Sequence, residues 1–189
     1  MNYLAHAFLS NNQAHLLVGN FIADHLRGND FKHLPSEIIA GIHLHRKIDT
    51  FTDSHSEFKK AKRIFYVGFE KHSGILVDIY FDHLLAKNFE DYSKISLTDF
   101  SSQVYTIYSN HQHLLPQSSA RFLEYVIKNN IYHTYSKSIG IETVLFHLSN
   151  RIKHQVKLDE SLELFHQNEL KLQDGFKIFF NEALEQFMV

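Results

Sequence analysis

The residues best equipped for chemistry lie in the stretch GIHLHRKIDTFTD, 41–53, where His45, Asp49 and Asp53 recur at intervals of four. A helix turns about 100° per residue, so this spacing keeps the imidazole and both carboxylates close together on one face. Ile38, Ile42 and Ile48 flank that face and should turn it toward a core. Burying two carboxylates and an imidazole is costly unless something compensates them. A divalent cation would do so; Arg46, Lys47 or a buried hydrogen-bond network are the alternatives.

Two further stretches carry similar groups. In SGILVDIYFDHLLAKNF, 73–89, Asp78 and Asp82 interrupt a helix that otherwise reads as buried through Ile75, Leu76, Ile79, Tyr80, Leu84 and Leu85, and His83 follows directly. Asp24 sits beside Phe21, Ile22 and Leu26, with Arg27 three residues on as a possible ion-pair partner, and His6 lies within NYLAHAFL. Carboxylate and imidazole ligands without thiolate suit Mn²⁺, Fe²⁺ or Zn²⁺. Such a cation polarises a phosphoryl oxygen and lowers the pKa of bound water to about 7, which makes phosphoester hydrolysis the natural reaction class. Spacing alone does not separate a hydrolase from a carboxylate-bridged oxidase.

The elements that must position these groups read as helices throughout. Two prolines and seven glycines in 189 residues, with apolar residues at three- and four-residue intervals, indicate an all-α, single-domain helical bundle over 1–189. Helices are expected over 2–9, 11–27, from Pro35-Ser36-Glu37 through 53, then 57–68, 73–89, 97–114, 118–130, 138–154 and 159–188. Gly19-Asn20 should let a neighbouring helix approach closely, and Arg27-Gly28-Asn29-Asp30 reads as a helix end and turn. Phe176, Phe179, Phe180 and Phe187 give the last helix an aromatic packing face or lid.

Composition narrows the classes. A formal net charge of −2 gives no broad basic field for nucleic acid. Lys59, Lys60, Lys62 and Arg63 form a local basic cluster, either a solvated helix face or a docking patch for an acidic macromolecule. The absence of cysteine excludes disulfides and thiolate metal sites. No signal peptide or membrane-length apolar run is evident, so a cytoplasmic protein is expected. Most of the fifteen histidines, including His111, His113, His133, His147, His154 and His166, lack clustered aspartates and read as packing or surface residues. Arg151 reads either as a salt-bridge partner or as a group that reaches an anion.

The phrases MNYLAH (1–6), GNFIADHLRG (19–28), GIHLHRKIDTFTD (41–53), DIYFDHLLA (78–86) and YSKSIGIETVLFHLSNR (135–151) together resemble the acyl carrier protein phosphodiesterases. That resemblance implies an all-helical, HD-domain-like fold, a Mn²⁺ cofactor and removal of the 4′-phosphopantetheine arm from holo-acyl carrier protein. It implies metal ligands among His45, Asp49, Asp78, Asp82 and His83, with His6 and Asp53 as further candidates. Asp24 becomes a ligand or base, Arg27 and Arg46 become phosphate clamps, and Lys59, Lys60, Lys62 and Arg63 become the face for the acidic carrier. In one respect the chain departs from HD-domain enzymes, because its adjacent pairs, Asp24-His25 and Asp82-His83, have the reverse order. A phosphohydrolase acting on nucleotides or other small phosphoesters, and a non-catalytic module that binds acyl carrier protein, are the other readings of the same residues.

Overall fold

A computed structural model describes residues 2–28, 30–152 and 156–188. Eleven α-helices lie among the described residues, and no strand. They are α1 (Tyr3–Phe8), α2 (Ala14–Ile22), α3 (Ser36–Ser54), α4 (Ser56–Phe69), α5 (Ser73–Lys87) and α6 (Leu97–Asn110). They continue with α7 (Gln117–Lys128), α8 (Ile131–Thr134), α9 (Ser138–Ser149), α10 (Ser161–Gln167) and α11 (Glu169–Phe187).

Several boundaries differ from the sequence expectation for local reasons. The helix expected from residue 11 begins at Ala14, because Asn11 and Asn12 both take positive φ. Asparagine tolerates that region, and the chain turns there instead of continuing a helix. The same helix ends early, in a 3₁₀ turn over Ala23–His25, before Gly28 makes its turn at φ 55. The expected 159–188 helix is two, divided at Asn168, and α8 follows Asn130 in the left-handed region. His154 and Asn29 lie outside the described residues.

The centre of the fold is the pair α2–α3. A Cβ added to Gly19 would collide with the Ile38 carbonyl oxygen, and one on Gly41 would sit 2.8 Å from Gly19 Cα. Glycine at both positions lets the two backbones touch, and this is what brings a short side chain of α2 within reach of α3. Pro35 sets up the start of α3, with Glu37 in its first turn. His55 then ends α3 in an extended conformation and accepts the Glu57 N–H through Nδ1, at 3.1 Å, to begin α4. Its Nε2 faces Glu182 Oε2 at 3.1 Å, tying this joint to α11.

One core runs through the bundle. Ile38, Ile42 and Ile48 are fully buried, as their spacing indicated. Phe65, Tyr80 and Phe165 stack in a column with centroid separations of 5.0 and 4.5 Å. Phe176, Phe179 and Phe180 are buried, so α11 supplies a packing face. Ile75, expected in the core, is partly exposed and rims a groove.

Candidate metal centre

The geometry of the site begins with Asn20. Its Nδ2 donates to the His6 carbonyl oxygen at 3.1 Å and to Ser10 Oγ at 3.0 Å, which fixes the amide so that Oδ1 must accept. Two ring nitrogens meet that oxygen: His6 Nδ1 at 2.8 Å and His45 Nδ1 at 2.9 Å. An oxygen can only accept, so both rings carry a proton on Nδ1. When neutral, each ring therefore presents the lone pair of Nε2 on its far side. The two rings stack with centroids 4.2 Å apart and turn both Nε2 atoms toward one carboxylate, Asp49.

Carboxylates converge on the same atoms. His45 Nε2 lies 3.0 Å from Asp24 Oδ1 and 3.1 Å from Asp49 Oδ2, and His6 Nε2 lies 3.2 Å from Asp49 Oδ1. His6 Nε2 is buried and makes no aligned hydrogen bond despite that proximity. Lone pairs facing carboxylate oxygens repel unless a proton or a cation lies between them. Ligands at about 2.1 Å from a common six-coordinate cation stand about 3 Å apart when adjacent, which is the spacing seen here. His6, His45 and Asp49 therefore form a group able to hold a metal ion.

Without a cation, protons take its place. Burial opposes charge on His45, but Asp24 and Asp49 overcome it and push the imidazolium pKa up to about 9. Burial also opposes charge on Asp49, yet the two imidazoles hold its carboxyl well below the usual range. The hydrogen bond from His45 lowers Asp24 against the effect of its burial. Burial dominates at His6 and lowers its pKa, favouring the neutral form that a metal requires.

The cleft of about 270 Å³ is walled by Asp24, His45, Asp49, Thr52, Asp53 and Asp78. Asp24 pairs with His45 here and not with Arg27. Asp53 is exposed at the cleft wall, one turn beyond Asp49. Asp78 reaches the same cleft from α5.

The rest of α5 is placed otherwise. Asp82 is fully buried, and its Oδ2 and Oδ1 accept the N–H groups of Leu4 and Ala5 at 2.7 and 3.1 Å. These are orphan donors of the first turn of α1, so Asp82 anchors the helix that carries His6. Burial pushes its pKa up to about 7 even against those amides. His83, a quarter-turn away on the helix, donates from Nδ1 to the Tyr135 carbonyl oxygen at 2.7 Å and packs on Phe165. The structure does not bring His83 to the cleft.

Arg46, next to His45 in sequence, points elsewhere: its Nη2 donates to the Gly28 carbonyl oxygen at 3.2 Å, and its guanidinium lies over Phe31. Arg27 is exposed in a separate groove with His33 and His113. On α4, Lys60 pairs with Glu57 at 2.6 Å and Lys59 Nζ donates to the Ser54 carbonyl oxygen at 2.8 Å. Lys62 lies against Gly74 at the start of α5, and Arg63 is exposed. In the sequence Asn20 reads only as part of a close helix approach. Its neighbour Gly19 was the signal, because a backbone contact there carries the next side chain to the facing helix.

A family model described as acyl carrier protein phosphodiesterase matches residues 1–183. Proteins of that description from Escherichia coli O45:K1 are 36% identical over 125 residues, covering 65% of this chain and 63% of the relative. The alignment thus spans under two thirds of that relative's length. One from Yersinia pestis is 31% identical over 190 residues, covering 98% of this chain and 97% of the relative. One from Salmonella dublin is 32% identical over 156 residues, 80% and 79% of the two chains. No solved structure matches the chain.

Proposed function

The chain belongs to the acyl carrier protein phosphodiesterase family, and on that premise we propose that it is a metal-dependent hydrolase that removes the 4′-phosphopantetheine arm from holo-acyl carrier protein. The observation that carries this reading is the pair of Nε2 atoms, on His6 and His45, held by Asn20 toward Asp24 and Asp49. That donor set supports a hard or borderline divalent cation, and we assign Mn²⁺, with Fe²⁺ or Zn²⁺ as substitutes. A cation of this kind, when bound, polarises the phosphoryl group and acidifies water. Paired imidazole and carboxylate ligands within a helical bundle also support the HD-domain relationship.

In the reaction, the oxygen of water forms a bond to phosphorus and the bond from phosphorus to the carrier's serine oxygen breaks. The serine oxygen leaves with a proton, giving apo-carrier protein and 4′-phosphopantetheine. His6, His45 and Asp49 are assigned as ligands, with Asp78 and Asp53 completing the acidic wall. Asp24, at the boundary between the cleft and a neighbouring groove, is the carboxylate placed to receive the proton of the attacking water or to share in ligation. Lys62 and Arg63 are assigned to meeting the acidic carrier, which would mainly raise the association rate.

Among the described residues no helix is long and apolar enough to cross a membrane. Incubation of the Mn²⁺-loaded protein with holo-acyl carrier protein, followed by mass spectrometry of the carrier, tests the assignment. Loss of the arm is the expected result. Hydrolysis of nucleotides with an untouched carrier would replace it with the small-phosphoester reading, and absence of Mn²⁺-induced thermal stabilisation would remove the metal.

A further inference from the structure

Beside the metal cleft runs a groove of about 280 Å³, near the lower end of ligand-pocket sizes and suited to a thin chain. Asp24 and Asp78 line both spaces, so the groove and the cleft adjoin at these two carboxylates. Away from those carboxylates its walls are mostly apolar: Ile75 and Ile79 of α5 and Val144 and Leu148 of α9 line it together with the rings of Phe122 and Tyr135. Tyr125 and Arg151 add polar tips, and the Arg151 guanidinium stands 6.0 Å from the Tyr125 ring centre.

We propose that this groove seats the pantetheine arm, with its phosphate end at Asp24 and Asp78 and Arg151 as the cation that admits the phosphodiester anion. The proposal rests on the substrate reading above and adds to it the residues that hold the arm.

Three observations support this occupant. The shared carboxylates Asp24 and Asp78 place one end of anything bound in the groove beside the metal cleft. Its composition, apolar walls with a few hydrogen-bonding tips, matches a thin chain in which one gem-dimethyl carbon and short methylene segments are joined by two amides. The third is charge. Asp24 and Asp78 would repel a phosphodiester, and Arg151 is the one Lys or Arg among the groove's described lining residues. Tyr3, which lines the groove, feels both fields: burial chiefly raises its hydroxyl pKa, Asp24 adds to that, and Arg151 opposes it. Arg151 and Asp24 therefore act on one locus.

The test measures binding without turnover, by calorimetry of 4′-phosphopantetheine with metal-free protein. The wild type should bind. Leu148→Trp and Ile75→Trp, which narrow the groove, should weaken binding at least tenfold, as should Arg151→Ala, with Arg151→Lys retaining part. Ile75 is partly exposed, so its replacement tests the groove even if Leu148→Trp unfolds. Leu170→Trp, on the exposed side of α11, should bind as the wild type does. With holo-carrier protein the same groove variants should raise KM more than they lower kcat. Binding by the wild type without release of the arm from the carrier would retain the groove and remove the catalytic reading. Release of the arm with unchanged affinity in both Trp variants, or no binding by the wild type, would overturn the groove.

Discussion

The imidazoles of His6 and His45 stack with centroids 4.2 Å apart, although 39 positions separate them in the chain. Neither ring sets this geometry alone. A single amide oxygen, Asn20 Oδ1, takes a proton from each and so turns both Nε2 atoms the same way.

The first consequence concerns that amide. Asn20→Leu keeps the branching at Cγ and removes the acceptor, leaving both rings without a fixed tautomer. Partners of this kind contribute about 10- to 100-fold to metal affinity, and the variant should lose Mn²⁺ affinity within that range while keeping its helical circular dichroism. Calorimetric titration with Mn²⁺ checks this; wild-type affinity in the variant would remove Asn20 from its orienting role.

A second expectation follows from His45. In the metal-free protein its pKa rises to about 9, above the unfolded value near 6.5. The stability this adds is complete below pH 6.5 and is lost as pH rises through 9. A metal must displace that proton, so Mn²⁺ affinity should climb as pH is raised toward 9 and binding should release protons. Titrations in buffers of different ionisation enthalpy count them.

Asp82 behaves in the opposite sense to an ordinary paired carboxylate. Burial raises its pKa to about 7, so the folded chain keeps a proton that the unfolded chain loses near pH 4. Stability should fall as pH rises across that window, by at most roughly 4 kcal/mol for a shift of about three units. Asp82→Asn cannot ionise and should show a flatter dependence of urea midpoint on pH between 5 and 8. An identical slope in the variant and the wild type would contradict this.

The contact between α2 and α3 is equally specific. Gly41→Ala places a Cβ 2.5 Å from the Leu16 carbonyl oxygen and 2.8 Å from Gly19 Cα. Backbone cannot give way as a side chain does, so the cost should reach about 1–3 kcal/mol or more, with loss of metal binding as Asn20 retreats from His45. Thermal melts with and without Mn²⁺ separate the two effects.

Much of this was readable along the chain. The helical class follows from the three- and four-residue periodicity, and the inward face of α3 from Ile38, Ile42 and Ile48, all fully buried. His45 and Asp49 were identified by local spacing because one turn of helix is enough to place them together. The late start of α2 after Asn11–Asn12 and the division at Asn168 were not legible: asparagine accepts non-helical conformations without requiring them, and the surrounding periodicity runs on.

Tertiary structure decided which of the remaining candidates join the site. Asp78, Asp82 and His83 belong to one phrase, but Asp78 reaches the cleft, Asp82 holds the amides of Leu4 and Ala5, and His83 turns to the Tyr135 carbonyl oxygen. Sequence spacing fixes the angle between side chains on one helix, not what each angle faces. His6 and Asn20 become neighbours of His45 only because Gly19 and Gly41 let two backbones meet. The chemical groups were therefore written in the chain, while their selection depended on how separate helices packed.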